Sequence, residues 1–258
     1  MRRFSLLTLC LLLAGGGASA GRGDQGEAVR GAAGPAAGAT GVVLVADGAG
    51  DYLGLTKAVQ QAVADAGLPL EVEPLRWSHG YRRSFADQVD RAHIRAQGQR
   101  LADKVLALRQ ACPDRPVDLM AHSAGAAVVL AAAPCLPPDS VERIVLLAPT
   151  VSAHADIRPA LLCARQGMDV FYSHRDQFAW VVAFTLIGTE GRLCPRIAAR
   201  VGFLEPSEPT ADEQVLFLRL HQHAWESCQR SFGHDGGHYG ACQQGFLHAH
   251  VLPLLTVH

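Results

Sequence analysis

The sequence predicts a three-layer α/β fold, in which a mostly parallel central sheet is covered by helices on both faces. Apolar runs recur along the chain, continuous at Val42–Ala46 and interrupted by Asp169 at Met168–Tyr172, and strands buried on both faces have this composition. Segments with helical spacing lie between these runs, and such alternation implies right-handed βαβ units. The chain has 258 residues, 49% hydrophobic and 18% charged, which suits one domain with a substantial core.

The first βαβ unit is the most regular part of the pattern. Val42 to Ala46 (VVLVA) predicts the first strand, and a glycine-rich turn follows at residues 47–51. Apolar residues then recur at helical spacing: Leu55, Val59, Ala62, Val63 and Ala66. Gly67 and Pro69 end this helix, and Leu70 to Trp77 is the predicted second strand.

A long helix is predicted next, from about Ala86 to Ala111, with an apolar stripe on one face and charges on the others. Pro113 and Pro116 end it. The apolar run Val117 to Ala121 predicts the third strand, and Ala124 to Ala133, made of small apolar residues, predicts a buried helix.

The second half of the chain continues the alternation. Glu142 to Ala148 (ERIVLLA) is the predicted fourth strand, Ile157 to Arg165 a short helix and Met168 to Tyr172 the fifth strand. Residues 192–214 contain three prolines and are expected to be irregular, while Val215 to Leu220 is the expected sixth strand.

The apolar segment Phe178 to Ile187 is expected to be a helix lying on the sheet. Three of its side chains are candidates for a cap over an acyl pocket, although a plain core role is favoured for them: Trp180, Phe184 and Leu186.

Ser123 stands at the turn between the predicted third strand and the small-residue helix. Ala121, two residues before it, and Gly125, two residues after it, are both small, as a nucleophile elbow requires. Larger side chains there would collide with each other or with the neighbouring strand. The usual pattern has glycine at both places, and alanine is the smallest departure from it. Such a turn lifts the serine hydroxyl clear of the sheet.

The order Ser123, Asp176, His238 resembles that of the α/β-hydrolase superfamily, from about Val42 to the C-terminus. The stretches that carry the resemblance are VADGAGD, AHSAGAA, ERIVLLAP, FYSHRD, RVGF and GHDGGHYG. They are also similar to those of uncharacterised exported bacterial hydrolase-like proteins. The resemblance implies a three-layer α/β-hydrolase fold. It leaves the substrate open, because the superfamily hosts esterases, lipases, thioesterases, peptidases and non-catalytic members.

A catalytic triad can be assigned within this order. A serine hydroxyl is a poor nucleophile unless a base takes its proton, and a carboxylate must hold that base in the correct tautomer. Ser123 is the candidate nucleophile and His238, in a glycine-flanked loop near the C-terminus, is the candidate base. Asp176 is the favoured acid because it lies past the end of the fifth strand, where functional groups of parallel sheets gather.

Alternatives remain open for the acid and the base. Asp156, after the fourth strand, is the second candidate for the acid, whereas Asp169 lies at the start of the fifth strand and is disfavoured. His234 is close enough to His238 in sequence to compete with it, and the pair His221/His223 is a weaker choice. A further histidine, His122, adjoins the elbow serine and is expected to line the pocket.

Two backbone N–H groups are expected to form an oxyanion hole. The first belongs to Ala124, directly after the nucleophile, and the second to Ala49, in the turn after the first strand. Asp47 in the same turn is a departure from relatives, because a carboxylate aimed at the oxyanion would repel it. We therefore expect Asp47 to turn away and to fix the loop.

The N-terminal residues predict export. Two arginines, an apolar segment at residues 4–14 and a cleavage signal ending at Ala20 are typical of a secretory signal peptide spanning residues 1–20. Residues 21–40 form a flexible Gly/Ala-rich linker, and residues 41–258 form the α/β-hydrolase domain. No later segment reaches membrane-spanning length. The expected location is periplasmic or extracellular.

Charge and composition limit the kinds of partner and cofactor that the chain is expected to bind. The formal charge is −1, and removal of the two arginines with the signal leaves 21 basic against 24 acidic residues, or −3. The chain has no excess of basic residues that would attract nucleic acid. No cofactor is expected, and two His-x-His pairs lack the carboxylate or cysteine partners of a zinc site: His221/His223 and His248/His250. The sequence does not indicate an oligomeric state.

Six cysteines remain after signal removal, which permits disulfides in an exported protein. Cys112 ends the long helix and Cys135 follows the elbow helix, so both are expected at the lower edge of the sheet. We predict a Cys112–Cys135 disulfide and, less firmly, a Cys228–Cys242 disulfide around the histidine loop.

The predicted activity is the hydrolysis of a small carboxylic or thio ester through an acyl-enzyme at Ser123. The alternative is a non-catalytic protein of the same fold that binds a small apolar ligand or a partner.

Overall fold

The computed structural model of the chain describes residues 40–178 and 196–256. The predicted signal peptide, nearly all of the predicted linker and the cap candidates Trp180, Phe184 and Leu186 lie outside these residues. The described part contains one six-stranded sheet in the order β2-β1-β3-β4-β5-β6, and every neighbouring pair of strands is parallel. The predicted fold is confirmed.

The strands are β1 (Gly41–Ala46), β2 (Leu70–Pro74), β3 (Val117–His122), β4 (Ile144–Leu147), β5 (Met168–Tyr172) and β6 (Leu220–Ala224). The helices are α1 (Gly54–Asp65), α2 (Ser84–Val89), α3 (Arg91–Ala111), α4 (Gly125–Ala132), α5 (Arg158–Cys163), α6 (Ala198–Val201) and α7 (Ala211–Phe217). Three consecutive pieces follow and form what we call the C-terminal helical segment: Gln244–Phe246, a π-helical turn at Leu247–Val251, and Leu252–Thr256.

Two hydrophobic cores lie on opposite faces of the sheet. Alternate residues of β1 enter different cores: Val42 and Leu44 face α3, α4 and α5, whereas Val43 and Val45 face α1 and the C-terminal helical segment. All six residues of β1 are buried, because helices cover both faces of this central strand. The three layers therefore follow directly from the continuous apolar runs in the sequence.

The contact between α3 and α4 depends on a glycine. A Cβ atom added to Gly98 would lie 2.7 Å from both the carbonyl carbon and the Cβ atom of Ala131. Small residues at this crossing let the two helix backbones approach closely, which holds α4 and the turn before it against the sheet.

The predicted long helix is in fact two helices, since the chain breaks at Asp90 between α2 and α3. The side chain of Asp90 accepts a hydrogen bond from the N–H of His93 (2.9 Å) and caps α3. The Asp90 side chain thus supplies an acceptor for a backbone N–H group that would bond to a carbonyl oxygen of the preceding turn in a continuous helix.

The predicted sixth strand was wrong. Val215 lies in helix α7, which begins with a capping box between Thr210 and Glu213. The last strand, β6, begins only after α7 has ended. The expectation of irregular structure over residues 192–214 holds for residues 202–210, whereas α6 and the start of α7 lie on either side of them.

Two strands are shorter than predicted. β2 ends at Pro74, before Trp77, and β4 covers only Ile144–Leu147. The side chain of Trp77 is buried instead in the loop after β2, where its Nε1–H donates to the carbonyl oxygen of Asp47 (2.8 Å).

Both predicted disulfides were wrong, because the described cysteines are free: Cys112, Cys135, Cys163, Cys228 and Cys242. Cys112 and Cys135 are both exposed to solvent. Cys228 is exposed with its thiol directed at Glu226, whereas Cys242 packs against the core of the α1 face. Cys228 and Cys242 therefore have separate surroundings.

Helices of the described residues all fall short of the length and apolar character that a membrane span needs.

Candidate active site

Ser123 occupies a strained turn at the carboxyl end of β3, near the centre of the sheet. Its φ angle is 54°, a conformation that non-glycine residues rarely adopt. The turn is tight enough that a Cβ atom on Gly125 would overlap the carbonyl oxygen of Ala46 and lie 2.5 Å from that of Asp47. The small residue two positions after the serine is therefore required by the end of β1.

The structure brings together the three residues proposed as the triad. Nε2 of His238 lies 2.9 Å from Oγ of Ser123, and Nδ1 of the same ring lies 2.6 Å from Oδ2 of Asp176. The side chains of His238 and Asp176 are only 2% and 1% exposed. With the proton on Nδ1 donated to Asp176, Nε2 is free to accept the serine proton.

The loop after β5 positions the acid. The N–H of Asp176 donates to the carbonyl oxygen of Ser173 (3.0 Å), and Nη1 of Arg200 donates to the carbonyl oxygen of Asp176 (2.6 Å). Arg200 belongs to α6, so this short helix fixes the backbone that carries the carboxylate.

The alternative acid lies elsewhere. Asp156 is at the surface, where Oδ1 accepts a hydrogen bond from Nε of Arg158 (2.8 Å). This hydrogen bond holds the pKa of Asp156 below its ordinary value. Asp169, disfavoured because of its position, instead accepts from Nη1 of Arg143 (2.6 Å) at the start of β5.

The alternative bases also have other partners. His234 is buried, and its Nδ1 accepts a hydrogen bond from the N–H of Gly236 (3.1 Å), so the ring braces the loop that carries His238. Burial lowers the pKa of His234 to about 4. His221 and His223 lie in β6 beside Asp169, with Nε2 of His223 at 2.7 Å from Oδ1.

The two candidate oxyanion donors lie next to the serine. Neither the N–H of Ala49 nor that of Ala124 donates to an acceptor within the described part of the chain. Between β1 and Ala49, a Cβ atom on Gly48 would contact Cβ of Ser123 at 3.4 Å. The turn after β1 therefore lies directly over the elbow.

Asp47 turns away from the elbow, as expected. Its Oδ1 accepts hydrogen bonds from the N–H groups of Leu55 (2.7 Å) and Thr56 (3.2 Å), and Oδ2 accepts from the Thr56 hydroxyl. Burial raises the pKa of Asp47, although these hydrogen bonds oppose the rise. The carboxylate thus ties the turn to the first turn of α1.

Asp87 is a structural support of the site that the sequence did not reveal. This fully buried carboxylate accepts through Oδ2 from the N–H of Gly50 (2.7 Å) and the hydroxyl of Ser78 (2.6 Å). Through Oδ1 it accepts from the N–H of His79 (2.8 Å). Burial alone would raise the pKa of Asp87, but these hydrogen bonds together lower it. Gly50 directly follows Ala49, so Asp87 anchors the turn that carries a candidate oxyanion donor.

His122 connects the elbow to the histidine loop. Its Nε2–H donates to the carbonyl oxygen of His238 (3.1 Å), and its ring contacts the rings of His238 and Tyr239. Burial, followed by the neighbouring His238, lowers the pKa of His122 to about 3, so the ring is neutral. We interpret His122 as a positioning residue beside the base rather than as a simple part of the pocket wall.

Two openings reach the site. One is a cavity of about 300 Å³ between α3, α4 and the loop after β4, which we call the α3–α4 cavity; Ala124 and Thr150 lie on its wall. Oγ1 of Thr150 is 3.5 Å from Oγ of Ser123. The other is a depression of about 660 Å³ beside His238, bordered by Phe178 and Tyr239. Ser123 and His238 therefore lie between the α3–α4 cavity and the depression bordered by Phe178 and Tyr239.

Residues 40–178 and 196–256 contain no group of three or more His, Cys, Asp or Glu side chains placed to hold a metal ion.

Similar structures come from several organisms. A cutinase of Trichoderma reesei, solved with a phosphonate inhibitor, is 19% identical with a TM-score of 0.33; the match covers 43% of this chain and about half (52%) of the cutinase. A protein from Xanthomonas campestris pv. campestris, described as a hydrolase of the alpha/beta superfamily, is 18% identical over 80% of this chain and 95% of its own, with a TM-score of 0.41.

A cutinase-like protein from Cryptococcus sp. is 14% identical over 83% of this chain and 94% of its own, also with a TM-score of 0.41. Likenesses at these scores carry no argument about activity. No curated protein matches the chain.

A family model described as serine aminopeptidase, S33, matches residues 37–179, which is more than half of the chain and includes the elbow and Asp176. With its parallel sheet and serine elbow, the chain belongs to the serine aminopeptidase S33 family and is a serine hydrolase of the α/β-hydrolase superfamily.

Proposed function

We propose that the chain hydrolyses small carboxylic or thio esters through a covalent acyl-enzyme at Ser123. The observation that carries the proposal is the continuous hydrogen-bonded series from Oγ of Ser123 through His238 to Asp176. A buried serine, base and acid in this order can activate the hydroxyl for attack on an acyl carbon.

The reaction proceeds in two halves. Nε2 of His238 takes the proton of Ser123 as Oγ attacks the ester carbonyl, and the N–H groups of Ala49 and Ala124 donate to the resulting oxyanion. Each such donor is worth about 3–4 kcal/mol in the transition state. The imidazolium then protonates the leaving oxygen or sulfur as the bond to it breaks. Water, deprotonated by the same ring, releases the acid and restores Ser123.

The description of the matching family favours a second candidate, an aminopeptidase that uses the same serine. An amide leaving group must be protonated by His238 as it departs, which the same geometry allows. Parallel assays of p-nitrophenyl esters and aminoacyl p-nitroanilides distinguish the two, because only an aminopeptidase cleaves the anilides faster than a Ser123→Ala background.

The test of the mechanism combines turnover and labelling. The wild-type protein is expected to hydrolyse p-nitrophenyl esters and to react with a fluorophosphonate at Ser123, identified by peptide mass spectrometry. Ser123→Ala should abolish both. Ser140→Ala is the matched control, since Ser140 is also buried but precedes β4 at the opposite edge of the sheet. A folded wild-type protein that refuses the probe and all esters would support the non-catalytic binding alternative.

We also propose export, on the strength of the N-terminal pattern alone. Expression with the natural N-terminus should yield mature protein outside the cytoplasm that begins at Gly21, as measured by N-terminal sequencing. Full-length protein retained in the cytoplasm would contradict this proposal.

A further inference from the structure

We propose that Arg91 and Arg95 form an anion-binding wall of the α3–α4 cavity, so that the preferred ester carries a negatively charged group, such as a carboxylate, on its acyl portion. This inference rests on the proposed ester hydrolysis and names the class of substrate that the site selects.

The α3–α4 cavity has an apolar part. Side chains of α3, α4, the loop after β4 and the residue before α6 form it: Ile94, Ala127, Leu130, Val151, Ala155 and Ile197. An acyl chain would bury apolar surface against these residues, which is favourable by about 25 cal/mol per Å². The reactive end of the cavity is marked by Ala124 and Thr150.

The acyl portion of the ester belongs in this cavity for a chemical reason. His238 must protonate the leaving group, so that group has to lie on the His238 side of Ser123, where the depression bordered by Phe178 and Tyr239 is open. Within the described residues, the α3–α4 cavity offers a second space beside the elbow. The two openings therefore divide the ester between them.

Two arginines stand on the α3 wall of the cavity. Arg91 and Arg95 are four residues apart in the first turns of α3, so their side chains share one face of the helix. Both are exposed, and neither makes an ion pair or a side-chain hydrogen bond with any residue that the structure describes. Their guanidinium groups are thus available to a carboxylate, which they can bind in a bidentate manner.

The acidic residue on the described wall of this cavity does not neutralise them. Asp87 directs both carboxylate oxygens to Gly50, Ser78 and His79 instead. The wall consequently presents two guanidinium groups against one carboxylate that is already occupied. An uncharged acyl chain would leave this positive charge uncompensated, whereas an anionic one would pair with it.

The test compares mono-p-nitrophenyl esters of dicarboxylic acids with neutral p-nitrophenyl alkanoates of equal chain length. For the wild type we expect kcat/KM to favour the anionic ester by about tenfold or more at the best length, and the preference to shrink as salt is added. The double variant Arg91→Gln/Arg95→Gln should lose the preference for the anionic ester. Arg91→Lys/Arg95→Lys should restore part of it.

Arg100→Gln is the control, since Arg100 lies on α3 but outside the cavity wall and pairs with Gln97. It should behave like the wild type. An equal rate for the two ester types, or a preference that survives the double variant, would overturn the inference while leaving ester hydrolysis intact.

A binding measurement separates this outcome from a failure of catalysis. Calorimetry with the Ser123→Ala protein should show tighter binding of the anionic ester than of its neutral counterpart, and the double arginine variant on that background should remove the difference. If no ester is hydrolysed but this difference is present, the proposed activity fails and the anion site stands. If the difference is absent, the anion site is refuted.

Discussion

In the proposed mechanism the carboxylate of Asp176 has two roles: it fixes the orientation of the His238 ring, and it stabilises the imidazolium that forms during the reaction. Asp176→Asn keeps the size of the side chain but offers an amide that can hold the wrong tautomer. We expect this variant to remain folded and to lose kcat by several orders of magnitude, since the corresponding change in serine proteases costs about 10⁴-fold. Steady-state ester hydrolysis measures the loss.

Asp156→Asn is the matched control, because Asp156 is an exposed acid whose carboxylate accepts hydrogen bonds from Arg158, on the surface. It should retain full activity. A silent Asp176→Asn together with an inactive Asp156→Asn would move the acid assignment to Asp156.

Asp87 acts at the same scale but through the backbone. Asp87→Asn removes one of the two acceptor oxygens that hold Gly50, Ser78 and His79, so the turn that carries Ala49 loses its anchor. We expect kcat for a neutral ester to fall about tenfold with little change in KM, because an oxyanion donor acts only in the transition state. A purely structural role would lower the melting temperature and leave kcat unchanged well below it.

At the scale of the elements, the crossing of α3 and α4 leaves no room for a larger side chain. Gly98→Ala would place a methyl group 2.7 Å from the backbone of Ala131, so the helices must move apart. We expect a destabilisation of about 1–3 kcal/mol, typical of overpacking, measured by chemical denaturation.

Gly54→Ala provides the comparison. Gly54 begins α1, and an added Cβ atom would meet no atom within 4 Å. Because alanine is the better helix former, this variant should be neutral or more stable by up to about 1 kcal/mol. Equal effects at the two glycines would show that the α3–α4 contact tolerates expansion.

The same elements show why some parts of the fold could be predicted and others could not. β1 is buried on both faces, so its sequence is continuously apolar. β3 and β5 are also largely buried and mostly apolar, although each contains one acidic residue, Asp118 or Asp169. β6 (LHQHA) is an edge strand with polar side chains, and its sequence therefore lacks that signal. The apolar run at Val215 belongs to α7, and the capping box from Thr210 to Glu213 was the available sign of a helix.

The residues that the structure brings together at the elbow could likewise be predicted only in part. Ser123, Asp176 and His238 could be named because each follows a strand or a glycine-rich loop in a recognisable order. Asp87 and Thr150 could not, because nothing in their local sequence shows that they approach Gly50 or Ser123. Arg91 and Arg95 could not be singled out either. The break at Asp90, which separates α2 from α3, was not predicted, so the position of these two arginines at the start of α3 was not known.

For the molecule as a whole, a buried ionisable group at the amino-terminal edge of the sheet affects how stability depends on pH. Asp118 in β3 is fully buried, and neither of its carboxylate oxygens makes a hydrogen bond. Burial, followed by the nearby Glu142, raises the pKa of Asp118 to about 8, with Arg143 opposing the rise. The folded protein therefore favours the protonated acid.

This shift determines how stability changes with pH. Below about pH 4 the carboxyl is protonated in both states and costs nothing. Between about pH 4 and 8 the unfolded chain releases the proton while the fold retains it, so stability falls as pH rises and levels off above pH 8. Asp118→Asn does not titrate and should be more stable than the wild type by about 1–3 kcal/mol at pH 8.5. The gain should nearly vanish at pH 4, as urea denaturation at both pH values would show.

Asp169→Asn should behave in the opposite way. Burial alone would raise the pKa of Asp169, but hydrogen bonds from His223 and Arg143 hold it below its ordinary value. Its contribution to stability is present above about pH 4 and is lost as pH falls through the lowered pKa. The variant should be destabilised at pH 7 and approach the wild type near pH 3. Parallel pH profiles for the two variants would contradict both assignments.

The reactive residues are far apart along the chain: Asp176 and His238 are separated by 62 positions, and Ser123 and His238 by 115. Each follows a different strand of the parallel sheet, and His238 follows β6, the last strand to be synthesised. Contacts of such long range form late and slowly in folding. A nascent or partly folded chain therefore holds Ser123 without its base, and the nucleophile gains reactivity only when β6 has joined the sheet. Recovery of fluorophosphonate labelling during refolding would thus report the completion of the whole sheet rather than the formation of the elbow.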